Sequence, residues 1–187
     1  GEAMIPMAEK IRKRGIPLVS SNALIPGAPQ TFVAHDNELA GQMNGKAIVN
    51  RLNELRGKDW PKKGGVIIEL RCLITASFDK GRHRGYRSVL DPIANKHPNL
   101  EIETREAGCS GQGARKAVSD IISRYGQDEI LAVASIDDSM AVGGAVPAFK
   151  AQGMLYPRDD SRHIPITTVD GTMPAIRALA KGHIDHT

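Results

Sequence analysis

Arg82, Asp137, Asp138 and Asp170 stand out, because each lies in a segment that follows a short apolar run, Arg82 at the far end of the stretch from Arg71. Carboxylates accept hydrogen bonds, and a guanidinium donates several in a fixed planar fork. The set therefore suits a small polyhydroxylated ligand. Asn22 and the Gly108-Cys109-Ser110 turn hold equivalent places after two further runs, so the rim is polar, with no aliphatic lining. Phe78, in the loop before Arg82, could offer a ring face to such a ligand or pack in the core. Asp138 and Asp170 could equally cap helices or brace turns.

Rival chemistries lack parts. Thr168-Val169-Asp170-Gly171-Thr172 resembles the phosphatase motif of haloacid-dehalogenase-like enzymes. That reaction needs a nucleophilic carboxylate two residues before Asp170, and Thr168 cannot form an acyl phosphate. His183 and His186 could face a metal one helical turn apart, but no third ligand accompanies them. Gly108-Cys109-Ser110-Gly111-Gln112-Gly113 lacks the Lys-Ser/Thr ending of a phosphate-cradling loop.

Positioning these residues falls to alternating elements. Strands are predicted at Ile16–Ser21, Thr31–Ala34, Gly65–Leu70, Leu100–Glu106, Ile130–Ser135 and Ile164–Val169. Helices are predicted at Ala3–Arg14, Glu38–Leu55, Lys80–Asn95, Gly111–Tyr125, Ser139–Gln152 and Met173–Ala180. Leu39, Met43, Ala47, Ile48, Leu52 and Leu55 form one apolar stripe at helical period. Pro92 should kink or end its helix near Asp91. Gly57 to Gly64 reads as a polar loop, and Thr172 as an N-cap with Pro174 in the first turn. Gly65-Val66-Ile67-Ile68-Glu69-Leu70 is nearly all apolar, as a strand covered on both faces must be. The pattern predicts an α/β fold: a doubly wound parallel sheet with helices on both faces. In such a sheet ligands bind beyond the carboxyl ends of the strands, where the polar residues fall.

The 187 residues carry 25 Lys+Arg against 21 Asp+Glu, a net charge of +4. The one basic run, Lys10 to Arg14, reads as a solvated helix face rather than a nucleic-acid contact. With three Phe, three Tyr and one Trp, a base-stacking platform is not expected. No apolar run is long enough to cross a bilayer. The opening Gly1-Glu2-Ala3-Met4 shows no signal peptide.

Cys72 ends one strand and Cys109 follows the next. Consecutive parallel strands joined by a right-handed crossover are commonly neighbours, at about 4.8 Å. That spacing lies inside the disulfide range of about 4.4–6.8 Å between Cα atoms. The two cysteines are therefore expected to lie close together, and two readings stay open: a disulfide, or two small buried side chains.

Five stretches, in order along nearly the whole chain, resemble type I periplasmic sugar-binding proteins. They are Gly15-Ile16-Pro17-Leu18-Val19, Phe32 to Asn37 with Ala40-Gly41, Arg82-His83-Arg84-Gly85-Tyr86, Ala134 to Gly143, and Val169-Asp170-Gly171-Thr172. Ribose- and galactofuranose-binding components of ABC importers are the most similar. The resemblance implies two lobes closing on a sugar, no covalent chemistry, no cofactor, and a monomer. It also implies a periplasmic location, with a membrane permease as partner. It places residues 1–35 in part of the first lobe and 36–187 as nearly all of the second, so that the chain is a fragment. Arg82 resembles the arginine that grips sugar hydroxyls, and Asp170 the aspartate that accepts from two of them. Asp137 stands where the family usually has Asn, Cys109 where an aromatic often stacks, Asn22 where it has Asp, and Ala23 where it has Arg. The resemblance therefore names no particular sugar. The alternative is the effector domain of a lactose-repressor-like regulator. Such proteins carry a Gly-His pair that the Arg56 to Gly65 stretch lacks.

Overall fold

The computed structural model describes residues 2–28 and 30–187. Helix α1 (Ile5–Lys13) leads into two short parallel strands, β1 (Val19–Ser21) and β2 (Thr31–Val33). Helix α2 (Asn37–Arg56) follows, started by Asp36, whose carboxylate accepts from the Leu39 amide at 2.9 Å. A short helix α3 (Trp60–Lys63) precedes β3 (Gly65–Arg71). Then come α4 (Ser77–Ala94), β4 (Leu100–Glu106), α5 (Gly111–Tyr125) and β5 (Ile130–Ser135). The last helical stretch divides into α6 (Asp138–Met140), a π turn at Ala141–Ala145 and α7 (Val146–Ala151). Strand β6 (Ile166–Thr167) and helix α8 (Met173–Ala180) complete the order.

The second sheet runs β4-β3-β5-β6, all parallel, with Leu70 beside both Arg105 and Ser135. Helices cover both faces, as doubly wound connections require. Every residue of β3 except Arg71 is buried, as its apolar run predicted. None of the described helices is long and apolar enough to cross a membrane.

The expected stripe on α2 is only half right. Ile48 and Leu52 are fully buried, but Leu39 and Met43 are each 49% exposed. The inward face near the start of α2 is instead Gly41, Asn44 and Gly45. The reason lies across the contact. A Cβ on Gly41 would run into the Arg82 carbonyl, and one on Gly85 into the Glu38 carbonyl. The backbones of α2 and α4 touch, leaving no room for a large side chain.

Three further expectations change. Pro92 neither ends nor shortens α4, which runs to Ala94; it falls in the last turn. The stretch from Gly57 to Gly64 is no simple loop: Trp60 is 1% exposed, and its indole donates to Asn53 Oδ1 at 3.1 Å. Thr172 does sit before α8, but its hydroxyl makes no cap; it donates to Asp138 Oδ2 at 2.8 Å.

Candidate functional site

The parallel register brings the carboxyl ends of β3, β4, β5 and β6 to one edge. A cleft of 290 Å³ opens there, lined by Asn22, Cys72, Phe78, Arg82, Asp137, Asp138, Ser139, Asp170 and Thr172. Cys109 is not in the lining, but it is disulfide-bonded to Cys72, with Cα atoms 4.3 Å apart. Behind the bond, the buried Asp79 carboxylate accepts from the Cys72 amide at 2.8 Å and from Arg71 Nε at 2.8 Å, holding that turn.

Arg82 is the centre of the arrangement, with its side chain only 2% exposed. Its Nε donates to Asn37 Oδ1 at 3.0 Å, and one Nη donates to the Ile136 carbonyl. The other Nη donates to Asp170 Oδ1 at 2.9 Å and lies 3.3 Å from His35 Nε2. Asn37 in turn donates to Asn22 Oδ1 at 2.8 Å. A single guanidinium thus links α4, the start of α2, the turn after β5 and the turn after β6. Phe78 packs at the core edge, its ring centre 5.6 Å from the Arg82 guanidinium carbon.

The carboxylates divide the work. Asp137 caps α6: its Oδ1 accepts from the Met140 amide at 3.0 Å and from the Ser139 hydroxyl at 2.5 Å. Asp138 is buried and braces the rim. Its Oδ2 takes the Thr172 amide at 2.7 Å, and its Oδ1 takes the Thr187 hydroxyl at 2.9 Å. The Asp170 side chain is 36% exposed. Burial raises its pKa, Arg82 opposes this, and Asp138 and Asp137 push it further up.

Three non-glycine residues among those described have a positive φ: Asn22 at 58°, Cys109 at 53° and Asp170 at 117°. Two line the cleft, and the third is bonded to its wall. Left-handed backbone is uncommon at non-glycine residues, least so at Asn and Asp, and such residues cluster at functional sites.

The periplasmic binding protein domain family matches residues 1–187. The chain belongs to that family. No curated protein matches it. Several solved structures of periplasmic binding proteins are similar. A solute-binding protein from Actinobacillus succinogenes, with bound D-allose, is 20% identical with a TM-score of 0.75. The match covers 98% of this chain and 59% of that protein. A galactofuranose-binding protein is 21% identical with a TM-score of 0.76, over 98% of this chain and 57% of its own. The arabinose-transporter component from Shewanella sp. ANA-3, bound to L-arabinofuranose, is 26% identical with a TM-score of 0.71, over 97% and 56%. The chain therefore spans less than three fifths of the length of these binding proteins.

Within this periplasmic binding protein, two contributors escaped the sequence reading. Asn37 and His35 lie inside a family-like stretch, where His35 suits a hinge and neither residue signals a place in the site; they reach Arg82 from 45 and 47 residues away. His183 and His186 follow α8 rather than lying within it, so they do not share a helix face. His186 instead pairs as backbone with Thr167.

Proposed function

We propose that the protein captures a small neutral sugar in this cleft and delivers it to the permease of an ABC importer in the periplasm. It acts as a monomer and without covalent chemistry. The observation that carries this reading is the convergence of Asn22, Arg82, Asp137 and Asp170 on one cleft beyond the strand ends. Asp137 Oδ2 and Asp170 Oδ2 accept no hydrogen bond from the described residues and are the acceptors for sugar hydroxyls. Arg82 acts mainly by holding Asp170 and Asn37 in place, because most of its donors are already engaged. The sugars named for the similar solved structures support a carbohydrate over other neutral ligands.

In this reading residues 1–35 belong to a first lobe and 36–187 to a second. A sugar that contacts both lobes binds the closed form better and shifts the equilibrium toward it. The permease then reads the closed form.

Calorimetry on the full-length protein with a panel of aldoses tests the reading. One sugar should bind saturably, and Asp170→Ala should weaken it at least about thirtyfold, since it removes an acceptor for the sugar and leaves the buried Arg82 guanidinium without its carboxylate, a loss of roughly 2–5 kcal/mol. Unchanged affinity in Asp170→Ala would overturn the assignment.

A further inference from the structure

A second cavity, of 480 Å³, opens at the other end of the sheet, where β5 and β6 begin and α2 ends. Arg56, Lys63, Asp128, Tyr156 and Arg162 stand in its wall among aliphatic side chains. Its volume lies in the range of small-molecule sites, about 300–1,000 Å³.

Its charges are unbalanced in a specific way. Arg162 is held by Asp160, at 2.7 Å, and stacks on the Tyr156 ring. Arg56 has no such partner. Its Nε is buried and has no acceptor among the described residues. Its one side-chain hydrogen bond among the described residues is long, from Nη2 to the His163 carbonyl at 3.5 Å. Among the described residues, neither Arg56 nor Lys63 forms an ion pair with a carboxylate, Asp128 included; the nearby pairs are Lys62 with Asp59 and Arg162 with Asp160. Burial lowers the Arg56 pKa with nothing to offset it.

A buried guanidinium donor without an acceptor is costly, and the natural remedy is an oxyanion that takes the planar fork two bonds at a time. We propose that this cavity is a second binding site, for a small organic anion that presents a carboxylate or phosphate group to Arg56. Lys63 adds charge at the mouth, and the aliphatic wall with Tyr156 receives the carbon skeleton. The site shares no residue with the sugar cleft, so it stands or falls independently of the sugar reading.

Calorimetry on the full-length protein with inorganic phosphate in one arm and citrate in the other tests it. Saturable one-to-one binding is expected in at least one arm, and the arm that responds identifies the group. Arg56→Gln should weaken it by at least about tenfold, the loss expected for a hydrogen bond to a charged group. Lys63→Glu, at an exposed position where folding is not at risk, should weaken it as well, and Asp170→Ala should leave it unchanged. No saturable binding in either arm up to about 10 mM would overturn the proposal. So would phosphate or citrate binding to Lys63→Glu as tightly as to the wild type.

Discussion

Asp170 carries the most at the scale of single residues. Its carboxyl titrates above the ordinary 3.8, because burial outweighs the pull of Arg82. A raised folded pKa means that Asp170 favours folding below the unfolded value, and that this help is lost as pH rises through the folded one. The proposed sugar binding runs the other way, since the ionised carboxylate is the better acceptor. Affinity should therefore fall on acidification at a pH above 3.8. Calorimetry from about pH 7 down to about pH 4 measures this, and Asp170→Asn should flatten the profile. Arg82 shows the limit of reading residues singly. Its type and place were visible, but its partners were not. They come from Asn37, Ile136 and Asp170, up to 88 residues away.

Two contacts between elements set the cleft. The first is the touching backbones of α2 and α4 at Gly41 and Gly85. Gly85→Ala would force those helices apart and should cost roughly 1–3 kcal/mol in denaturant unfolding. It should weaken sugar binding too, because α4 carries Arg82 and α2 carries Asn37. Normal stability with normal affinity would contradict this. The second contact ties the last turn to the sheet. The Asp185 side chain is wholly buried and takes hydrogen bonds from Arg51 Nε at 3.1 Å and the Ile166 amide at 3.0 Å, beside His163 Nε2 at 3.0 Å. Burial pushes its pKa up, but the His163 contact, the amide and Arg51 together bring it below 3.8. The stability it confers is present above pH 3.8 and is lost as pH falls through the lower folded value. Asp185→Asn should cost about 3 kcal/mol at neutral pH, read from the urea midpoint.

Across the whole molecule, the Cys72–Cys109 bond closes a loop of 37 residues and fastens the ends of β3 and β4 beside the cleft. Thiol titration of the denatured, unreduced protein should find no free thiol. Reduction should cost roughly 3–4 kcal/mol on chain-entropy grounds. The strands β1 and β2 form a separate small sheet, and Val19, Phe32 and Val33 stay exposed on it. The large core belongs to the four-stranded sheet. Residues 36–187 expressed alone should therefore unfold in one cooperative transition, whereas residues 1–35 alone should stay unfolded by circular dichroism. A non-cooperative melt of 36–187 would refute the division.

Local signals were enough for much of this. The strands at Leu100–Glu106 and Ile130–Ser135 and the helices at Gly111–Tyr125 and Met173–Ala180 have the expected bounds, because periodicity and end signals act over a few residues. The polar residues after the strands were legible as well, since a parallel sheet must deliver them to one edge. Only the tertiary structure decided which of them a protein partner already holds. It turned Asp138 into a brace, Asp137 into a cap with one free oxygen, and Arg82 into a clasp. It also decided that Leu39 and Met43 face outward, while Trp60 is buried at the start of a short helix inside a polar stretch. Each of these outcomes depends on which surface arrives opposite a residue, and that surface comes from distant sequence.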